Sequence, residues 1–278
     1  MKYRSLLCLF LAMASGPSFG AEPAPANGPP AGNPREIPAD LRAAVGKLEM
    51  PGVKINLDEW CVDVDSRVSL REGLLELIAC VKDTKEHESI IAIEAKPSHV
   101  HTALLLLGAK PGSPASQQPI DDEMTDFRFI PPSGSPVDVF LVIPAPEGKQ
   151  VELPISDFIK AADDQDASVE PAAEDQRARF PTHTFLFAGS TLVGEGDGPR
   201  HYLCDTEGNV ISISTFGDEL LCLPGFHEQA NDALMWQVDG ARLPEIDGKV
   251  ILRLRPSDGK KPPSPEAGRT KGEKPAEK

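Results

Sequence analysis

Apolar residues in this chain come in short runs that turn-forming residues cut off, a punctuation that suits strands along most of its length. Residues 53–57 open the series. Cys61, Val62, Val64 and Val68 then alternate with polar neighbours as a half-buried strand does. Arg71, Glu72 and Gly73 supply a turn, residues 74–81 and 90–95 are apolar and β-branched enough for central strands, and the charged loop 82–88 joins them. Further strands are expected at 137–143, 151–153, 184–188, 201–204, 210–215, 220–223 and 250–254.

One segment breaks this pattern. Pro97 suits a first helical turn, residues 99–109 are almost continuously apolar, and Gly108, Pro111 and Gly112 carry the stop signal. A buried helix near residues 97–109 is predicted, covering the sheet, with a short helix at 154–162. Residues 113–136, rich in Pro, Ser, Gly and Asp, read as a long loop. The fold class expected is α+β: predominantly antiparallel strands, that buried helix and one or two short helices.

The two ends carry no such periodicity. Lys2 and Arg4, the apolar run 6–14, and the small residues Ser18 and Gly20 ahead of Ala21 form a signal peptide over residues 1–20. A membrane span needs about twenty apolar residues, and Gly16 and Pro17 interrupt this run too early. Export to the periplasm or beyond follows. Residues 21–44, with Pro23, Pro25, Pro29, Pro30 and Pro34, read as a disordered linker, and residues 257–278 as a Lys/Pro-rich disordered tail. Residues 45–256 remain for one domain, with possible lobes 45–160 and 180–256 joined by the acidic stretch 163–175.

Charge excludes one class of partner. The chain has 28 basic and 43 acidic residues, a net charge of −15, and loss of Lys2 and Arg4 takes it to −17. A surface of that sign repels nucleic acid and anionic lipid, so no nucleic acid is expected as a partner, and the mature chain carries no predicted membrane span. Cleavage also removes Cys8, leaving Cys61, Cys80, Cys204 and Cys222 in a compartment that permits disulfides. A hairpin turning at residues 70–73 would set Cys61 roughly opposite Cys80, and Cys204 and Cys222 bracket a strand-rich segment. Pairing within each couple stands beside the alternative of four buried free thiols.

Several blocks resemble a known family. Arg71-Glu72-Gly73, Lys85-Glu86-His87-Glu88-Ser89, His101-Thr102-Ala103-Leu104-Leu105 and Gly108-Ala109-Lys110-Pro111-Gly112 are similar to the central block of the YdjY-domain family of exported bacterial proteins, and Phe187-Ala188-Gly189-Ser190, Val210-Ile211-Ser212 and Phe216-Gly217-Asp218 to its later blocks. The resemblance spans most of residues 45–256. It implies export and a fold, and no particular reaction, because the family has no established biochemical activity. An iron–sulfur role, loosely attached to some members, is not carried over: cluster ligands usually lie two to four residues apart, and the closest cysteines here, Cys204 and Cys222, are eighteen apart.

The residues best suited to chemistry are Glu86, His87 and Glu88 together with His101. Imidazoles and carboxylates are ordinary ligands of zinc and related transition metals, and histidine is the commonest general base. His99 lies two residues from His101 and would point to another side of the helix, so His101 is the one able to approach His87 if the helix runs back over the preceding strand. The bland reading is a histidine bracing a charged loop and another packed at a helix start. His227-Glu228 lacks the second histidine of a zinc-protease motif, and no G-x-S-x-G surrounds Ser89 or any other serine. The glycine-rich 189–198 is out of register for a nucleotide loop, and Glu195, Asp197, Asp205, Glu207, Asn209 and 121–123 follow no calcium-loop pattern. The function expected is a non-catalytic binding or structural module of the cell envelope, with a protein or small-molecule ligand. The alternative is a metal-dependent or His-assisted enzyme centred on His87 and His101.

Overall fold

Alternation along the first long strand, β1 (Cys61–Val68), sets the architecture. Val62, Val64 and Val68 are buried, and Asp65 and Arg67 between them are exposed. A sheet with one apolar face must cover that face with another layer or curl round and cover it with itself. This chain does the second. The computed structural model describes residues 39–121, 125–162, 180–194, 196, 198–227, 229 and 234–257. In it the sheet continues through β2 (Leu77–Val81), β3 (Ser89–Ile93), β4 (Pro136–Pro144), β5 (Thr184–Leu186), β6 (Asn209–Ser212), β7 (Leu221–Cys222) and β8 (Lys249–Pro256). The order round the ring is β1, β8, β4, β5, β7, β6, β2, β3 and back to β1, a closed eight-stranded barrel.

Register explains the filling of its interior. Leu252 stands opposite Val64 and Leu141, and Leu254 opposite Val62 and Val139. All six are buried without residual exposure, each contributing on the order of 1.5–3 kcal/mol through the area it removes from water. Asp63, Asp65 and Arg253 alternate with them and face outward. Two joints, β6 with β7 and β2 with β3, are parallel, and the other six are antiparallel.

The expected α+β class is overturned. Strand makes up 41 % of the structure and helix 17 %, which places it in the β class. Three short helices form among the described residues: α1 (Ala39–Val45), α2 (Pro97–Leu106) and α3 (Cys204–Glu207). Helix α2 starts at Pro97 as predicted, but Thr102 and Leu105 are exposed, and it packs beside the strand Val53–Asn56, β1 and α3 instead of roofing a sheet. A sheet closed on itself leaves no apolar face for a helical layer, so an apolar helical segment does not imply a second layer.

Residues 113–136 are also more ordered than a loop. Pro111–Ser113 pairs with Ser133–Gly134, and Ser116–Pro119 pairs with Phe127–Ile130, making a two-stranded arm. Its residues are mostly exposed, so burial imposes no alternation that a reader of the sequence could find. The expected helix at 154–162 is a short 3₁₀ turn, Ile155–Phe158, followed by a strand, Ile159–Ala161, paired with Trp236–Val238. The two possible lobes supply β1–β4 and β5–β8 to one ring. The expected signal peptide, residues 21–38 of the expected linker, the acidic stretch 163–175 and residues 258–278 lie outside the described residues. Among those described, no helix is long and apolar enough to cross a membrane.

Candidate functional site

His87 and His101 are not brought together. His87 sits in the 3₁₀ turn Glu86–Glu88 just before β3, with 77 % of its side chain exposed and Nε2 3.6 Å from Glu88 Oε2. Glu86 is occupied with the Asp83 amide, which donates to its Oε1 at 3.2 Å. His101 follows β3, on α2. The five residues of β3 separate its two ends by roughly 13 Å at about 3.3 Å per residue, and α2 packs toward Val53–Asn56, β1 and α3. Among the described residues no group of three or more His, Cys, Asp or Glu side chains is placed to hold a metal ion.

His101 joins a different cluster. Its Nδ1 lies 2.8 Å from the Tyr202 hydroxyl oxygen, and that hydroxyl donates to the Gly189 carbonyl at 2.9 Å. A phenol has one hydrogen to give, so with it directed at Gly189 the Tyr202 oxygen is left to accept from Nδ1. Phe187 meets the same ring edge-on at 4.8 Å. Burial pushes the His101 pKa below its ordinary value, against the opposing pull of the Gly189 carbonyl, and burial pushes the Tyr202 phenol far up. The imidazole and the phenol, locked to each other, clasp α2 to residues 187–190. Next to them Ser190 holds a left-handed φ of 53°, and its Oγ accepts from the Cys204 amide at 3.2 Å.

The remaining polar candidates serve the same scaffold. Asp205 accepts from the Ser98 amide and hydroxyl at 2.8 and 2.7 Å, capping the start of α2. Lys85 donates to Asn209 Oδ1 at 2.8 Å, and Asn209 Nδ2 donates to Asp218 at 2.6 Å. Glu219 accepts from the amides of Phe216 and Gly217, and burial raises its pKa as it does that of Asp218. Ser89 donates to the Lys85 carbonyl, and one nitrogen of His99, Nδ1, is buried without a partner. Glu195, Asp197, Asp122 and Glu123 lie outside the described residues.

The four cysteines among the described residues, Cys61, Cys80, Cys204 and Cys222, are free and buried. The expected hairpin does not form, because β3 stands between β1 and β2 in the ring. Cys80 is level with Ala92 and Ala92 with Arg67, and from Arg67 to Cys61 is six residues of strand, roughly 20 Å. A disulfide tolerates about 7 Å between Cα atoms. Cys204 Sγ donates to the Asn209 carbonyl at 3.1 Å, whereas Cys222 stands opposite Ser212, three residues further along β6. Burial pushes Cys61 and Cys222 up to about 12 and raises Cys80 and Cys204 as well, so none is poised as a thiolate.

A concave surface lies elsewhere, on the outer wall of the barrel. Where β3, β1, β8 and β4 lie side by side, their outward residues form a trough of about 640 Å³. Ala92, Ile251 and Val142 give it an apolar floor: Ile251 is level with Val142 and with Asp65, and Ala92 with Arg67, two residues further along β1. Pro51 and Gly52 with Glu94 and Ala95 wall one side, and Pro144 with Gln150 the other. Gly52 belongs there because a side chain would press on Ala95, 3.3 Å from where its Cβ would stand. Arg67 leans toward Glu94 at 3.9 Å, which Lys82 also approaches at 3.4 Å. Among the described residues, Asp65 and Lys249, both lining the trough, have no ionic partner. Sequence reading missed them because an outward charge on an alternating strand looks the same on a flat wall and in a hollow.

A family model for the YdjY domain matches residues 53–216, more than half of the chain. No curated protein and no solved structure matches it.

Proposed function

The chain belongs to the YdjY-domain family, and on that premise we propose that it is an exported, non-catalytic binding module of the cell envelope whose ligand lies in the outer trough. The trough carries this reading: an apolar floor flanked by one unpaired anion, Asp65, and one unpaired cation, Lys249, suits a small molecule or short peptide with an apolar body and both charges. The charged start, apolar run and Ser18-Phe19-Gly20 support export.

The test is a ligand-observed NMR screen of the full chain against zwitterionic small molecules and short peptides. Hits should vanish in Ile251→Arg, which fills the floor from an outward position, and weaken about tenfold or more in Lys249→Glu, a charge reversal at the rim. Hits that bind both variants unchanged would remove the trough from the reading. An enzyme centred on His87 and His101 is the competing view. A transition metal found in stoichiometric amount by elemental analysis, and lost in His101→Ala, would favour it over the binding module.

A further inference from the structure

A second surface, independent of the trough, is aromatic. Phe129 on the arm and Phe216 and Phe226 on the segment beside it wall a groove of about 300 Å³. The rings of Phe129 and Phe226 meet edge-on at 5.5 Å, and Phe226 keeps 49 % of its surface in solvent. Rings left open to water in this way form a surface that gains from being covered. Lys85 already stands over the Phe216 ring at 5.0 Å, so a cation can sit against these faces.

We propose that this groove is occupied by the chain's own C-terminal segment, through Lys260-Lys261-Pro262-Pro263-Ser264-Pro265. Two arguments select that occupant. The first is chemistry: a run of prolines is pre-set in the polyproline II form, which docks on aromatic-lined grooves at little entropic cost. The second is reach. The Ser257 amide donates to the Pro136 carbonyl at 2.9 Å, so the C-terminal segment departs beside the foot of the arm. From Pro136 back to Ile130, the end of the arm's strand, is six residues, roughly 20 Å at most. Pro262 to Pro265 follow Ser257 by five to eight residues, roughly 16–25 Å at about 3.1 Å per residue. The lengths match. A tether this short holds the prolines at an effective concentration on the order of millimolar, enough to populate a weak contact.

The experiment uses the full chain with ring-labelled phenylalanine. Replacing Lys260, Lys261, Pro262, Pro263 and Pro265 together by Ser should shift the ring signals of Phe129 and Phe226 and leave that of Phe185, which is fully buried, in place. The reciprocal variant, Phe129→Ala with Phe226→Ala, should raise the rate of trypsin cleavage after Lys260 several-fold. Ring signals indifferent to the five replacements, with cleavage unchanged in the reciprocal variant, would overturn the proposal. So would ring shifts that grow with protein concentration, since these would assign the groove to the C-terminal segment of a second copy.

Discussion

At the scale of single residues His101 shows how position overrides residue type, since the fold seats its ring against Tyr202 and Phe187 and not beside His87. Its spacing from His87 was visible in the sequence. Its partner, Tyr202, was not, because one hundred and one residues separate them and only the closure of the barrel brings them to 2.8 Å. The same burial makes a prediction about pH. His101 has a folded pKa below its ordinary 6.5, so between the two values the unfolded chain binds a proton that the folded chain refuses. Stability contributed by the neutral ring is present above 6.5 and is lost as pH falls toward the folded value. Asp218 and Glu219, raised by burial, act in the opposite sense and lose stability as pH rises. Comparing the chain with His101→Gln removes that background. Between about pH 7.5 and about pH 5.5 the unmodified chain should lose more of its urea midpoint than the variant does. Equal losses in both would exclude His101 from the response.

At the scale of elements, the sequence was most legible where one face is buried and least where neither is. β1, β4 and β8 alternate or run apolar because they wall the barrel's interior, and each lay where the pattern put it. The arm was lost among Gly, Pro and Ser because its strands touch little that is apolar. What fixes the arm is backbone contact at its foot. Gly134 has a φ of 141°, and a Cβ there would lie 2.0 Å from the Phe187 carbonyl oxygen. The neighbouring strand is held by the Gly112 amide, which donates to that same oxygen at 2.9 Å. Gly134→Ala should therefore destabilise the chain by about 3 kcal/mol or more, through strain at a left-handed φ and through displacement of Phe187. Gly148 provides the contrast, with a φ of 72° and nothing within 4 Å of its would-be Cβ. Gly148→Ala should cost only about 1 kcal/mol, the conformational part alone. Denaturant titration of the two variants measures the difference, and similar losses in both would remove the contact with Phe187 as the cause.

For the whole molecule, the property that sequence could not supply is closure. Local patterning places strands but does not say that β1, next to β8 on one side, also meets β3 on the other through Ser66, Arg67 and Val68. Such pairing is decided by non-local register, and with it go the separation of Cys61 from Cys80 and the existence of the outer trough. Closure also leaves the ring unevenly sewn. β8 is joined to β1 and to β4 by six residue pairs each, whereas β5 meets β7 at Leu186 and Cys222 alone, and β7 meets β6 through two pairs. Local opening should begin where fewest pairs must break, at β5 and β7, and reach β1 only with global unfolding. The cysteines report this directly. Cys222 lies at the weak seam and Cys61 at the start of β1, both are buried, and burial raises both thiols, so each must be uncovered before it reacts. In native buffer, with a thiol reagent in excess and mass spectrometry of the digested protein, Cys222 should be alkylated about tenfold faster than Cys61 or more, a ratio corresponding to about 1.4 kcal/mol between the two openings. Adding denaturant below the midpoint should accelerate Cys61 more steeply than Cys222, because its exposure requires more surface to be uncovered. Equal rates with equal denaturant dependence would mean that the barrel opens only as a unit and that the β5–β7 seam is no weaker than the rest.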